Sequence, residues 1–153
     1  MTAAPVQFRL NLSILDPVRL CTVETARVAL GCDAETVMAR IEAGLIQFAF
    51  NLSTGTSKRE VRIWTGCFDP DLDPEDMHTR WKLDDVIANA LGTTPKRLAE
   101  EKTFTVNGSW LETKWCVSNW LVQRMDIEKF TVGKTTKLSR RSAAAFLRDR
   151  VIT

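Results

Sequence analysis

Val23-Glu-Thr-Ala-Arg-Val-Ala-Leu30, followed by Gly31-Cys32-Asp33 and Ala34-Glu-Thr-Val-Met-Ala-Arg-Ile41, decides how this chain is read. Thr22 can close the start of a first helix through its hydroxyl, and Gly31 stands where a left-handed C-terminal cap belongs. Ala26, Ala29 and Leu30 fall at helical spacing. Asp33 is a good N-cap for a second helix with Val37, Met38 and Ile41 as its buried stripe, and Gly44 ends it. Two helices joined by a short turn around Gly have the size and punctuation of a helix-turn-helix.

Downstream the period changes from helical to alternating. Phe48, Phe50 and Leu52 alternate with Gln47, Ala49 and Asn51; Val61 and Ile63 alternate with Glu60 and Arg62 before Trp64. Ser53-Thr-Gly-Thr-Ser57 between them is turn-rich, so the two runs predict a hairpin with Lys58 and Arg59 beside its tip. Helix, turn, helix and basic-tipped hairpin together predict a winged helix in residues 1–68.

Residues 69–101 form an acidic segment. Asp69, Asp71 and Asp73 have the spacing of a calcium loop, but Pro74 and Arg80 stand where that loop needs Gly and Glu, which argues against calcium. Trp81 to Leu91 reads as a bridging or closing helix with Leu83, Val86, Ile87 and Leu91 on one face. Thr93 or Thr94 caps a short helix with Pro95 in its first turn. Thr103 to Val106 reads as extended, and Asn107-Gly108 as a turn.

Residues 102–153 repeat the plan of the first segment. Cys32-x4-Val37-Met38-x-Arg40-Ile41 matches Cys116-x4-Leu121-Val122-x-Arg124-Met125 at an offset of 84 (116 minus 32). Phe130 and Val132 alternate, Gly133-Lys-Thr-Thr136 turns, Lys137-Leu138 returns, and Ser139 caps a last helix carrying Ala143, Phe146, Leu147 and Val151. A rival alignment sets Ala29-Leu30-Gly31 on Ala90-Leu91-Gly92 at an offset of 61 (90 minus 29), which would make Asn107-Gly108 a wing tip. The expected fold is mainly α with small β-hairpin wings, a tandem winged helix-turn-helix.

Charge separates the segments. Residues 1–68 carry seven basic and six acidic side chains, residues 69–101 four and nine, and residues 102–153 ten and four. The basic C-terminal third suits a phosphate backbone. No apolar run has the roughly 18 residues of a membrane span, and the start of the chain has no signal-peptide core. The expectation is a cytoplasmic protein that does not enter a membrane.

Four scattered cysteines (Cys21, Cys32, Cys67 and Cys116) and a single histidine, His78, lack the paired spacing of a zinc site, so no metal or other cofactor is expected. Gly133-Lys134-Thr135 has the ending of a phosphate-binding loop, but Glu128 stands where its first Gly is needed. No nucleophile–base arrangement appears, and an enzyme is not expected.

Val23 to Trp64 resembles the excisionase-like and MerR-like winged helix-turn-helix proteins in Ala26, Leu30-Gly31, Asp33-x3-Val37, Gly44-Leu45-Ile46 and Arg62-Ile63. Trp110 to Arg150 is similar to the same group, particularly in Lys137-Leu-Ser-Arg-Arg-Ser142 leading into Phe146-Leu147. It departs from the pattern with Lys114 and Trp115 where Leu-Gly would end the first helix. The resemblance implies sequence-specific binding of double-stranded DNA, the second helix in the major groove and the hairpin on the minor groove or backbone. It also implies a transcriptional regulator, or a recombination or replication accessory factor of a phage- or plasmid-type mobile element, working with a recombinase or replication protein as a monomer or homodimer.

On that reading Thr36 and Arg40 contact DNA from the first domain's second helix, and Lys58 and Arg59 from its wing. In the second domain Asn119, Gln123 and Arg124 occupy the corresponding helix, where Asn and Gln suit adenine and Arg suits guanine. Lys134, Lys137, Arg140 and Arg141 supply the basic cluster. The five tryptophans (Trp64, Trp81, Trp110, Trp115 and Trp120) are expected to pack between small domains, with Trp120 in core or interface. A protein-interaction adaptor, motivated by these tryptophans and the acidic middle, is the competing expectation.

Overall fold

The computed structural model describes residues 18–53, 59–68, 81–100 and 105–152. The acidic stretch 69–80, His78, Lys58 and the expected wing tip around Ser53–Ser57 lie wholly or mostly outside them.

Strand β1 (Leu20–Thr22) runs directly into helix α1 (Val23–Leu30), and α2 (Ala34–Glu42) follows. The Thr22 hydroxyl accepts the Thr25 N–H at 3.1 Å, and the Asp33 carboxylate accepts the Thr36 N–H at 2.8 Å. Gly31 ends α1 at φ +68°, a conformation that costs little without a Cβ. Strands β2 (Ala49–Asn51) and β3 (Val61–Trp64) come next, then a 3₁₀ turn, Thr65–Phe68. Helices α3 (Leu83–Ala90) and α4 (Pro95–Glu100) lead to a second round: β4 (Thr105–Asn107), α5 (Gly108–Trp115), α6 (Asn119–Arg124), β5 (Lys129–Val132) and β6 (Thr135–Ser139). Helix α7 (Arg140–Arg148) follows, its N-terminus capped by the Ser139 hydroxyl.

Helix predominates among the described residues, as expected, but the architecture is mixed, with two small three-stranded sheets beside the helices. Each expected hairpin belongs to a three-stranded antiparallel sheet, ordered β1-β3-β2 and β4-β6-β5, because the strand preceding the first helix pairs with the returning strand. Asn107-Gly108 is a strand-to-helix junction and not a hairpin tip, which removes the alignment at offset 61.

Through the first strand and the two helices the β-α-α-β-β modules superimpose in sequence at 85 (116 minus 31), one residue from the offset of 84. Thr22 and Asn107 open the first helices, Asp33 and Ser118 cap the second ones, and Val37 and Val122 are both buried. Cys116, at φ +53°, takes the left-handed position that Gly31 holds. The apolar runs Val37-Met38 and Leu121-Val122 tolerate a one-residue slip, whereas caps do not. Lys114-Trp115 therefore does not replace Leu-Gly; Trp115-Cys116 does.

The first sheet lies between two apolar layers. Cys21, Ala49, Val61 and Ile63 face α1 and α2, against Ala26, Ala29, Val37 and Ile41. Leu20, Phe48, Phe50, Leu52 and Trp64 face the other way, into a larger cluster. That cluster contains Val86, Ile87, Ala90 and Leu91 of α3 together with Leu111, Trp115, Leu138 and Leu147 from the second module. A sheet covered on both faces needs near-continuous apolar strands, which is why Ala49, placed on the polar side of the alternation, is fully buried.

Polar ties cross the same boundary. The Arg62 side chain donates to the carbonyls of Trp115 (3.1 Å) and Cys116 (2.9 Å), and the Arg19 N–H donates to the Lys114 carbonyl at 2.8 Å. Trp115 Nε1 donates to the Ala90 carbonyl at 2.8 Å, and Trp64 Nε1 to Asn89 Oδ1 at 3.0 Å. Beyond α7 the chain returns to the first sheet: the Ile152 N–H reaches the Ala49 carbonyl at 2.9 Å, and Val151 bridges Phe50 on the outer edge of β2. No helix among the described residues is long and apolar enough to cross a membrane.

Candidate nucleic-acid interface

Helix α6 has one buried and one open side. Ser118 caps it by accepting the Leu121 N–H at 3.2 Å, and Leu121 and Val122 turn inward. Asn119, Trp120, Gln123 and Arg124 are left on the exposed side. Lys129 secures the far end: its ammonium donates to the carbonyls of Met125 (2.5 Å) and Ile127 (3.0 Å). Partial burial there holds the Lys129 ammonium below the usual lysine range, a structural duty and not a ligand contact.

Asn119 and Gln123 stand one turn apart, and Gln123 links the helix to the hairpin. Its Nε2 lies 3.4 Å from Asn119 Oδ1 and 3.5 Å from Thr136 Oγ1. Beside them Asn119, Lys134, Thr135 and Thr136 join Gly108, Ser109 and Glu112 around an open concavity of about 250 Å³. One amide, three hydroxyls, a carboxylate and a lysine thus surround a recess between a helix and a β-turn, with Gln123 bonded to two of its lining residues, Asn119 and Thr136. The Arg124 guanidinium lies 4.0 Å above the Trp120 ring, on the same exposed helix. Trp120 is 58% exposed and belongs to neither core nor internal interface, unlike Trp64 and Trp115, which are buried, and Trp81 and Trp110, which pack against the core.

The remaining expected contacts are spread out. Lys137 pairs with Phe130 and Asn107 on the sheet face opposite α5 and α6, because side chains alternate along β6 and Thr136 and Leu138 take the helix side. Arg140 and Arg141 begin α7, six and seven residues beyond Lys134 and roughly 20 Å along an extended chain. Arg141 donates to the Ala99 carbonyl of α4 at 2.7 Å and shares a separate recess with Asp84 and Arg148. The stretch 134–141 is therefore not one basic patch. A run of charges in sequence reports composition, while strand alternation and the turn into a helix send those charges to different faces.

In the first module Thr36 and Arg40 are half-buried on α2, and the Thr36 N–H is taken by the Asp33 cap. Arg59 is exposed. Lys58 lies outside the described residues.

Sequence reasoning missed Ser109, Glu112, Thr135 and Thr136 as neighbours of Asn119. The hairpin pairing Thr131 with Thr136 carried the signal for the last two. The others depend on how α5 packs beside the hairpin, where the Gly108 backbone passes close to the Thr136 carbonyl. Among the described residues no group of three or more His, Cys, Asp or Glu could hold a metal ion. Comparison with family models, curated proteins and solved structures returns no match.

Proposed function

We propose that this protein binds double-stranded DNA sequence-specifically through two winged helix-turn-helix modules of the excisionase-like and MerR-like kind. In that role it regulates transcription, or assists recombination or replication on a mobile element. The observation that carries the reading is the convergence of Asn119, Gln123 and Lys134 where an exposed helix meets a β-turn. Asn119 and Gln123 offer the donor–acceptor pairs that read adenine edges in a major groove. Lys134 offers the phosphate contact that sets register without reading sequence.

The repeated β-α-α-β-β order supports two neighbouring half-sites read by one chain. Selection from random duplexes at moderate salt, followed by gel shift, should return a motif with two half-sites. Absence of any enriched sequence overturns the reading.

The exposure of Trp120 favours a second reading, a protein-interaction adaptor in which the Trp120–Arg124 pair anchors a partner. Affinity purification with and without nuclease separates the two, since adaptor partners persist after DNA is removed.

A further inference from the structure

The modules pack on each other in a way that leaves one copy of each packing surface unused. In the first sheet Thr22, Arg62 and Phe50 lie side by side across three strands, on the face away from α1 and α2. That face is covered by the second module. Phe50 is fully buried, Arg62 is 8% exposed, and the C-terminal end of α5 sits on them, its Trp115 and Cys116 carbonyls accepting from the Arg62 guanidinium. A cation at the C-terminus of a helix also meets the favourable end of its dipole.

The same triad recurs in the second sheet. Asn107, Lys137 and Phe130 lie side by side across β4, β6 and β5 in the same register. Here the face is open: Phe130 is 44% and Val132 59% exposed. The counterpart of the α5 end is the end of α1, where Leu30 and Gly31 correspond to Trp115 and Cys116, and Gly31 is exposed. The chain thus presents at one end the sheet face that receives a helix terminus, and at the other the helix terminus that fits such a face.

We propose that a second copy of this chain docks the C-terminal end of its α1 on the Phe130–Val132–Lys137 face, continuing the intramolecular stacking head to tail. Lys137 then donates to the α1 carbonyls as Arg62 does to those of α5. Such a contact is heterologous, so it propagates into chains or closes into rings. Helix α3 fills the intramolecular boundary and has no counterpart between copies, which makes the intermolecular contact the weaker one.

The test is sedimentation velocity of the DNA-free full-length protein from about 1 µM to about 1 mM, which leaves the DNA-binding reading untouched. Concentration-dependent growth beyond a dimer is expected. Phe130→Glu, or Val132→Glu should the first fail to fold by circular dichroism, removes it from the receiving side. Gly31→Lys removes it from the inserting side by placing a cation against Lys137. Nothing lies within 4 Å of where its Cβ would stand, so the cost there is confined to the left-handed backbone, which the non-glycine Cys116 also holds, and circular dichroism checks that this variant folds as well.

Each variant alone should be monomeric, its association at least about tenfold weaker. Mixed one to one, they should form a dimer and stop there, because each supplies the surface the other lacks. A wild-type protein that stays monomeric throughout, growth unaffected by the variants, or a mixture that fails to dimerise overturns the proposal.

Discussion

The guanidinium of Arg62 lies 2.9 Å from the carbonyl of Cys116, binding the middle strand of the first sheet to the end of a helix in the second module. Further bonds run to the carbonyls of Trp115 and Val61, and Glu60 lies 3.3 Å away. Buried carbonyls deprived of a charged donor bear their full desolvation cost. Arg62→Met should therefore lower stability to chemical denaturation by about 2–3 kcal/mol, with Arg62→Lys intermediate because an ammonium cannot span both acceptors. A loss under about 0.5 kcal/mol for Arg62→Met would show that the tie has little energetic weight.

Asn89 makes the corresponding bond on the other side of the shared core. Its Oδ1 accepts from Trp64 Nε1 at 3.0 Å, while the Trp64 ring packs edge-on against Phe48 and Trp81. Asn89→Ala leaves that indole N–H unpaired and should cost about 1–3 kcal/mol. Combining it with Trp64→Phe, in a double-mutant cycle read by denaturation, should give a coupling of about 1 kcal/mol. Additive losses would mean the bond contributes nothing beyond packing.

These ties mark the limit of what the sequence could disclose. The caps at Thr22, Asp33 and Ser139, the left-handed Gly31 and the helix over 83–90 were legible, because capping and helical periodicity are local. Strand β1 was not: three residues carry no readable alternation, and their pairing with β3 is decided some forty residues away. Neither was the register of the repeat, since its landmark glycine is replaced by Cys116. In the candidate site Asn119 and Gln123 were legible as neighbours from helical spacing. The separation of Lys134 from Lys137 and Arg141 was not, because it depends on which face of a sheet each strand residue takes.

Cys116 has a pH consequence of its own. It is half-buried at the boundary between modules, and burial pushes its thiol above the ordinary 9.0, against the opposing pull of Arg62 and the Thr22 N–H. A raised folded-state value means the protonated thiol favours folding. That contribution is fully present below pH 9.0 and is lost as pH rises through the folded value. Lys129, lowered by burial, works in the opposite sense as pH rises, so the comparison has to be made against a Cys116→Ala variant. The difference in stability between wild type and variant should shrink in favour of the variant above pH 9.0, read by urea melts. Peptide-mapped alkylation should likewise show Cys116 reacting more slowly than in the unfolded chain. A pH-independent difference would contradict this.

For DNA binding, the three residues around the recess should behave differently from the arginines of α7. Lys134→Ala should weaken binding about equally for all sequences and reduce the dependence of log affinity on log salt by about one. Asn119→Ala and Gln123→Ala should each cost about 1–3 kcal/mol on the selected site and relax preference at a single base pair, leaving the salt slope unchanged. Arg141, held by the Ala99 carbonyl away from the recess, is the internal control. Arg141→Ala should change affinity less than about twofold, whereas a free basic patch would lose a phosphate contact and part of the salt slope. Titrations at several salt concentrations on selected and scrambled duplexes distinguish these outcomes. A larger loss at Arg141 than at Lys134 would move the interface from the α6 recess to the start of α7.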